Sequence, residues 1–295
     1  MATPRSRYRP AGASTYSHRF HAGNVGDVWK HCALVEILRR FALAGQVHYL
    51  ETHAGEGHYE LGDTGEWTEG IGRLWQPAGG VQGDDPVARY VAICSRLVEG
   101  GSRPATYPGS PAFARTVLGP EAQVLWEEDE AAYARLAAHT GGDRNARLVR
   151  GDGMEALPGE VRTAEAGSRA VVVLIDPPFT RKADWHDVPA ALAAAFAHSR
   201  RACLILWYPV KSLTRPNAMV ASLRAAGVPG TIAELVTTPL EHQRHRLNGS
   251  GLLVVRPPAG TLEALGAAAA FVGTRCATRR GAWSFRMQSW EAERR

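Results

Sequence analysis

Residues 174–182 read LIDPPFTRK, an apolar run that ends in an acid, two prolines and an aromatic ring. Prolines fix the backbone, so the Asp176 carboxylate and the Pro177 carbonyl can both accept hydrogen bonds from one amino group. Phe179 can then stack on the base that carries the amine. With both N–H hydrogens drawn off, the nitrogen leaves conjugation and its lone pair is exposed for attack on an electrophile. A strand that merely stops at Pro-Pro would explain the prolines but neither the acid nor the ring.

Three more motifs of this kind stand at the ends of apolar runs. In ETHAGEG, Gly55 and Gly57 let backbone N–H groups approach a carboxylate or phosphate. Glu60 occupies the place of the last glycine of a GxGxxG fingerprint, so the dinucleotide pattern is incomplete. In LWEED, Glu127 can accept from both hydroxyls of a ribose, although Glu128, Asp129 and Glu130 would also suit the start of a helix. In RLVRGDG, the Asp152 carboxylate can take the exocyclic amine of adenine while Gly153 leaves room for the ring. Asp-Gly is equally at home in a plain turn. Each motif has its own structural explanation, but their recurrence at successive strand ends points to a nucleoside site.

The elements that would position these residues follow from hydrophobic periodicity. GDVWKHCALVEILRRF places Val28, Leu34, Ile37, Leu38 and Phe41 at helical spacing, with Gly26 and Asp27 as its cap. QVHYLETHAGEGHYE reads as a strand followed by a Gly-rich turn, and AQVLWEED, ARLVRGDG, AVVVLIDPPF and ACLILWYPV repeat that strand-to-loop pattern. Helical stretches such as DEAAYARLAAH and VPAALAAAFAHSR lie between them, which predicts a doubly wound α/β fold with a mostly parallel sheet. TIAELVTT and SGLLVVRPP would complete that sheet. Residues 58–106 break the rhythm with helix-like pieces among glycines and acids and no clear strand, and are read as a helical subdomain inserted into a single domain spanning 1–295.

A chain of 295 residues, 45% hydrophobic, is long enough for a full core. Its net charge of +5 permits a polyanionic partner without demanding one. Cys32, Cys94, Cys203 and Cys276 form no CxxC pair and the eleven histidines show no HExxH spacing, so no metal site is expected. No apolar run approaches the roughly 20 residues of a membrane span, and a reduced, cytoplasmic protein is expected.

Several strings together resemble the bacterial methyltransferases that modify adenine N6 in 23S ribosomal RNA, the J-type large-subunit family. They are YSHRFHAGNVGDVWKH, ETHAGEGHYELG, TGEWTEGI, YPGSP, GDG, LIDPPF, LWYPV and GSGLLVVRPP, and they cover nearly the whole chain after its first fifteen residues. The FHAGNxxDVxKH string is far more specific than DPPF, which many amino-methyltransferases share. The resemblance implies a Rossmann-like methyltransferase fold, with helices on both faces of the sheet, and S-adenosylmethionine as donor. Carried over by position, it implies a donor site made by His31, His53, Ser110, Glu127, Asp152 with Gly153, and Asp176, with Asp176 also the catalytic acceptor. It implies that Tyr16 touches the RNA. The family usually reads DPPY, whereas Phe179 lacks the hydroxyl; stacking is kept and any hydrogen bond from the ring is lost.

The expected substrate is 23S rRNA, protein-free or early in assembly, and the expected state is a monomer. Two alternatives stay open from the residues alone: a DNA adenine-N6 methyltransferase, which shares the D-P-P-aromatic logic, and a catalytically idle RNA-binding module of the same fold. A glutamine-modifying enzyme would more naturally carry Asn before the prolines. The loop EHQRHRLNGSG offers Arg244, His245 and Arg246 for phosphates, although charged loops are usually just solvated.

Overall fold

The computed structural model describes residues 18–75, 85–98, 101, 103–167, 169–240 and 247–292. The strands in chain order are β1 (Val47–Glu51), β2 (His58–Glu60), β3 (Thr106–Pro108), β4 (Gln123–Glu127), β5 (Ala146–Arg150), β6 (Ala170–Ile175), β7 (Cys203–Val210), β8 (Gly230–Val236), β9 (Gly249–Val255) and β10 (Ser284–Trp290). Eight of them form one sheet in the order β10-β8-β9-β7-β6-β1-β4-β5. The pairs β4–β5, β1–β4, β1–β6 and β6–β7 are parallel, while β9 runs antiparallel to β7 and β8, and β10 antiparallel to β8.

β6 shows why the strands read as continuous apolar runs. Val172 and Leu174 pack into the core on one face of the sheet and Val171, Val173 and Ile175 into the core on the other. Alternate side chains point to opposite faces, and both faces are covered by helices. One layer holds α2 (Val25–Ala44), α4 (Pro86–Leu97), α5 (Ser110–Leu118), α6 (Glu130–Thr140) and α10 (Thr261–Cys276). The other holds α7 (Gly153–Glu165), α8 (Asp184–His198) and α9 (Thr214–Ala225). Each fully buried Val or Leu contributes roughly 1.5–3 kcal/mol, so this strand ties both layers together. The architecture is a Rossmann-like α/β fold, as expected from the sequence.

Two details differ from the expectation. The helix read from residue 26 starts at Val25 and is capped by Asn24, whose side chain accepts the N–H of Asp27; Gly26 and Asp27 lie inside the first turn. That leaves the Asp27 carboxylate directed inward rather than spent on a cap. The sheet also extends one strand further than expected, because β10 adds antiparallel to β8 at the edge. Its half-exposed pattern lacks the apolar run that marks the inner strands.

After β1 the chain leaves the sheet for residues 58–108. This segment carries the short helix α3 (Ile71–Leu74), α4, and the three-residue strands β2 and β3, which pair antiparallel across it. Strands of three residues are too short for periodicity to announce. A four-residue helix α1 (His18–His21) precedes α2 at the start of the described chain. Among the described residues no helix is long and apolar enough to cross a membrane.

Candidate active site

The order of the parallel strands switches at β1: β4 and β5 are laid to one side of it and β6 and β7 to the other. Open α/β sheets bind ligands at the carboxyl ends of the strands flanking such a switch point. Here those ends carry Glu51, Glu127, Asp152 and Asp176.

The turn after β1 is stitched to both neighbouring strands. Thr52 N–H donates to the Leu174 carbonyl at 3.1 Å and Ala54 N–H to the Trp126 carbonyl at 2.8 Å. Gly55 and Gly57 take φ of +63° and +74°, the left-handed region that glycine enters without strain. Gly153 opens α7 against this turn, where a Cβ would fall 2.4 Å from the Thr52 carbonyl oxygen. Only glycine lets the start of α7 come that close.

Glu127 reaches back across the turn. Its Oε2 accepts the N–H of Gly55 at 2.8 Å and its Oε1 the N–H of Asp129 at 2.9 Å. Burial pushes its pKa up, against the pull of those backbone donors. Asp152 is the N-cap of α7, and both cap bonds, from Met154 and Glu155, fall on Oδ1. The turn-or-site question posed by Asp-Gly therefore resolves into a helix cap whose second oxygen takes no part in the cap.

Glu51, which motif reading passed over, sits in the floor. It is wholly buried, accepts from Tyr49 Oη at 2.8 Å, and accepts from Ser110 Oγ at the start of α5. Burial pushes its pKa up to about 8, opposed by the two hydroxyl donors. Acids end many strands, so the sequence offered no signal to separate Glu51 from its neighbours. His53 shares a 2.8 Å hydrogen bond with Thr52 Oγ1. Burial lowers its pKa, while Asp176, Asp152 and Asp184 draw it the other way.

Asp176 follows β6 and meets a residue the motif reading also missed. Lys30 Nζ lies 2.6 Å from Asp176 Oδ2 and 2.8 Å from Asp27 Oδ1, with only 5% of the lysine side chain exposed. Burial works against the ammonium, but the two carboxylates outweigh it and its pKa is raised. The sequence signal existed, since Asp27 and Lys30 are spaced to share a helix face, but nothing local joined them to residue 176.

Phe179 holds φ of +47°, an uncommon conformation for a bulky residue and a pointer to function when it stands at a strand end. Its ring packs against Trp185 at 4.6 Å between centroids, leaving 9% exposed. His31 is buried on α2, 2.7 Å from Tyr107 Oη through Nδ1 and stacked 4.5 Å from Phe113. It thus meets the site through α5, three residues beyond Ser110, whereas the other candidates cluster directly at the strand ends. Tyr16 and the loop residues Arg244, His245 and Arg246 lie outside the described residues. A surface hollow of about 320 Å³ lined by Phe20, Asp63, Glu66 and Glu69 contains none of the candidates. Among the described residues no three His, Cys, Asp or Glu side chains group as a metal site.

The donor set suits a cationic nucleoside. The partly exposed carboxylates Glu127, Asp152 and Asp176 at three of these strand ends offer acceptors for hydroxyls and amines, and the glycine turn lets a ligand approach the backbone.

The chain is similar to several known proteins. A family model described as "Ribosomal RNA large subunit methyltransferase D, RlmJ" matches residues 45–290. Ribosomal RNA large subunit methyltransferase J of Escherichia coli (strain K12) is 33% identical over 254 residues, 83% of this chain and 87% of that protein. The protein of the same name from Haemophilus influenzae is 34% identical over 259 residues, 84% of this chain and 89% of that one. A crystal structure of a Legionella pneumophila protein superposes with a TM-score of 0.80 at 26% identity, covering 91% of this chain and 98% of that one.

Proposed function

The chain belongs to the ribosomal RNA large subunit methyltransferase J family, and from that premise we propose that it methylates the N6 amino group of an adenine in 23S rRNA. S-adenosylmethionine is the donor, and when bound it supplies an electrophilic methyl group on a sulfonium, whose S–CH3 bond breaks to leave a neutral thioether. The observation that carries the adenine-N6 reading is the Asp176-Pro177-Pro178-Phe179 run at the end of β6, beside the strand-end carboxylates.

In this reading Glu127 accepts from the ribose hydroxyls, Asp152 with Gly153 receives the donor's adenine, and Ser110, His53 and His31 complete the donor site. The target adenine, flipped from its helix or taken from an open strand, stacks on Phe179. Its N6 hydrogens go to Asp176 and to the Pro177 carbonyl, which frees the nitrogen lone pair to face the methyl group. Alignment at a near-attack distance of roughly 3–3.5 Å supplies much of the rate. As the N6–CH3 bond forms, the nitrogen becomes cationic and strongly acidic; Asp176 stabilises that charge and accepts the proton. Tyr16 contacts the RNA. The protein is one methyltransferase domain over residues 1–295, with 58–106 inserted between β1 and β4, and it acts as a cytoplasmic monomer on protein-free or early-assembly rRNA.

The deciding experiment offers the protein S-adenosylmethionine with protein-free 23S rRNA, and in parallel a DNA duplex, and reads the nucleosides by mass spectrometry. N6-methyladenosine from the rRNA is the expected product. A different methylated nucleoside, or methylation of the DNA alone, would overturn the proposal.

A further inference from the structure

The Lys30 ammonium bridges two carboxylates, yet only Asp176 belongs to the reaction just described. The other, Asp27, is held from behind. Its Oδ2 accepts the backbone N–H of Gly23 at 2.9 Å, and its own N–H donates to Oδ1 of Asn24 at 2.9 Å. Asn24 Nδ2 donates to Oε2 of Glu66 at 2.9 Å, and His21 Nδ1 lies 2.9 Å from the same oxygen. Asp27 is thereby locked to the start of α2, while Lys30 projects from it on a flexible four-carbon stem.

Asp176 is already engaged by Lys30 at 2.6 Å. An amine that donates to the same carboxylate must share it with the ammonium or displace it. A buried charge left without a partner is costly, so displacement needs a second acceptor within reach. We propose that Asp27 is a positioning residue for methyl transfer, keeping the Lys30 ammonium in place while the target amine takes up Asp176. The proposal rests on Asp176 being the acceptor of the target amine.

Residue choice supports it. The chain has 34 Lys plus Arg, and only Lys30, Lys182 and Lys211 are lysine. A guanidinium would form fixed forked bonds, whereas an ammonium is a compact charge with three donors that can turn between two carboxylates. Trp207 lies 5.9 Å from Nζ through its ring, and Glu51 and Tyr59 sense the charge of Lys30. Among the described residues the groups in contact with it are Asp27 on α2, Asp176 after β6 and the Trp207 ring on β7, with Glu51 of β1 and Tyr59 of β2 within electrostatic range.

The test is Asp27→Asn. Asparagine keeps an oxygen for the Gly23 N–H, so the helix start is retained, but it removes the charge beside Lys30. The expected result is a kcat lower by about 10²-fold, the scale of a misaligned reacting group, with donor affinity and RNA KM nearly unchanged. With one carboxylate gone, burial should draw the Lys30 pKa down, adding a basic limb to the kcat profile that the wild type lacks. Asp27→Glu, which restores the charge, should recover part of the loss. In a Lys30→Gln background Asp27→Asn should add nothing, since it acts through the lysine.

NMR of protein labelled at lysine Nζ gives a readout independent of activity, with three signals to assign. The Lys30 signal should leave its ammonium position at a lower pH in Asp27→Asn than in the wild type. Identical titration, or an undiminished kcat on rRNA that the wild type methylates, would overturn the proposal. A wild type that transfers no methyl to rRNA would instead overturn the functional reading, and the Nζ titration would still decide whether Asp27 holds the ammonium.

Discussion

The backbone N–H of Gly55 donates to Oε2 of Glu127 at 2.8 Å, closing the turn after β1 onto the end of β4 across 72 residues of sequence. The relationship makes Glu127 a brace for the glycine turn, and the proposed function gives the same carboxylate the donor's ribose hydroxyls.

Glu127→Ala should weaken S-adenosylmethionine binding. Two hydrogen bonds to a charged acceptor, each about 1.5–3 kcal/mol, correspond to a loss of at least about 10²-fold in affinity. Isothermal titration calorimetry measures it, and an unchanged Kd would leave Glu127 only its role in bracing Gly55.

Asp176→Ala should keep the fold and most donor affinity while turnover drops about 10²- to 10³-fold, the usual cost of removing one group aimed at developing charge. Single-turnover methyl transfer on 23S rRNA, beside a donor titration, separates the two. Near-normal turnover would remove Asp176 from the chemistry.

Phe179 separates stacking from hydrogen bonding. Phe179→Tyr should stay within a few-fold of wild type, and Phe179→Ala should lose roughly 1–3 kcal/mol of target binding or transition-state stabilisation. Because the ring also packs on Trp185, the Ala variant should melt at lower temperature as well. Steady-state kinetics on an RNA hairpin decide the matter: a less stable variant with full activity would make Phe179 a packing residue alone.

Glu51 should make stability fall as pH rises. Its folded pKa of about 8 lies above the roughly 4.3 of an unfolded glutamate, so the native state holds the proton more tightly. That contribution is fully present below about pH 4.3, declines through the interval, and is lost above about pH 8; its size is of the order of a few kcal/mol. Denaturant titrations of wild type and Glu51→Gln across this range should show a steeper decline in the wild type. Parallel curves would mean that Glu51 is ionised in the folded protein at neutral pH.

Much of this site was legible before any coordinates. A strand covered on both faces must be apolar along its whole length, so an acid following VVVLI or QVLW marks a strand end, and strand ends on one edge of a parallel sheet share a crevice. Asp176, Glu127, Asp152 and the Gly55 turn could all be found that way. Periodicity describes how a residue faces its own element and carries nothing about which distant element faces it. The Ser110 bond to Glu51 spans 59 residues and the Lys30 bond to Asp176 spans 146. His31 could be named from its motif, but its stacking on Phe113 depends on α5 lying beside α2. From local burial alone the sequence marks strands β1 and β4–β9, their order along the chain, and Glu127, Asp152 and Asp176 at strand ends; which lysine neutralises which acid was decided only when the crossing from β5 to β6 brought the end of β6 against α2.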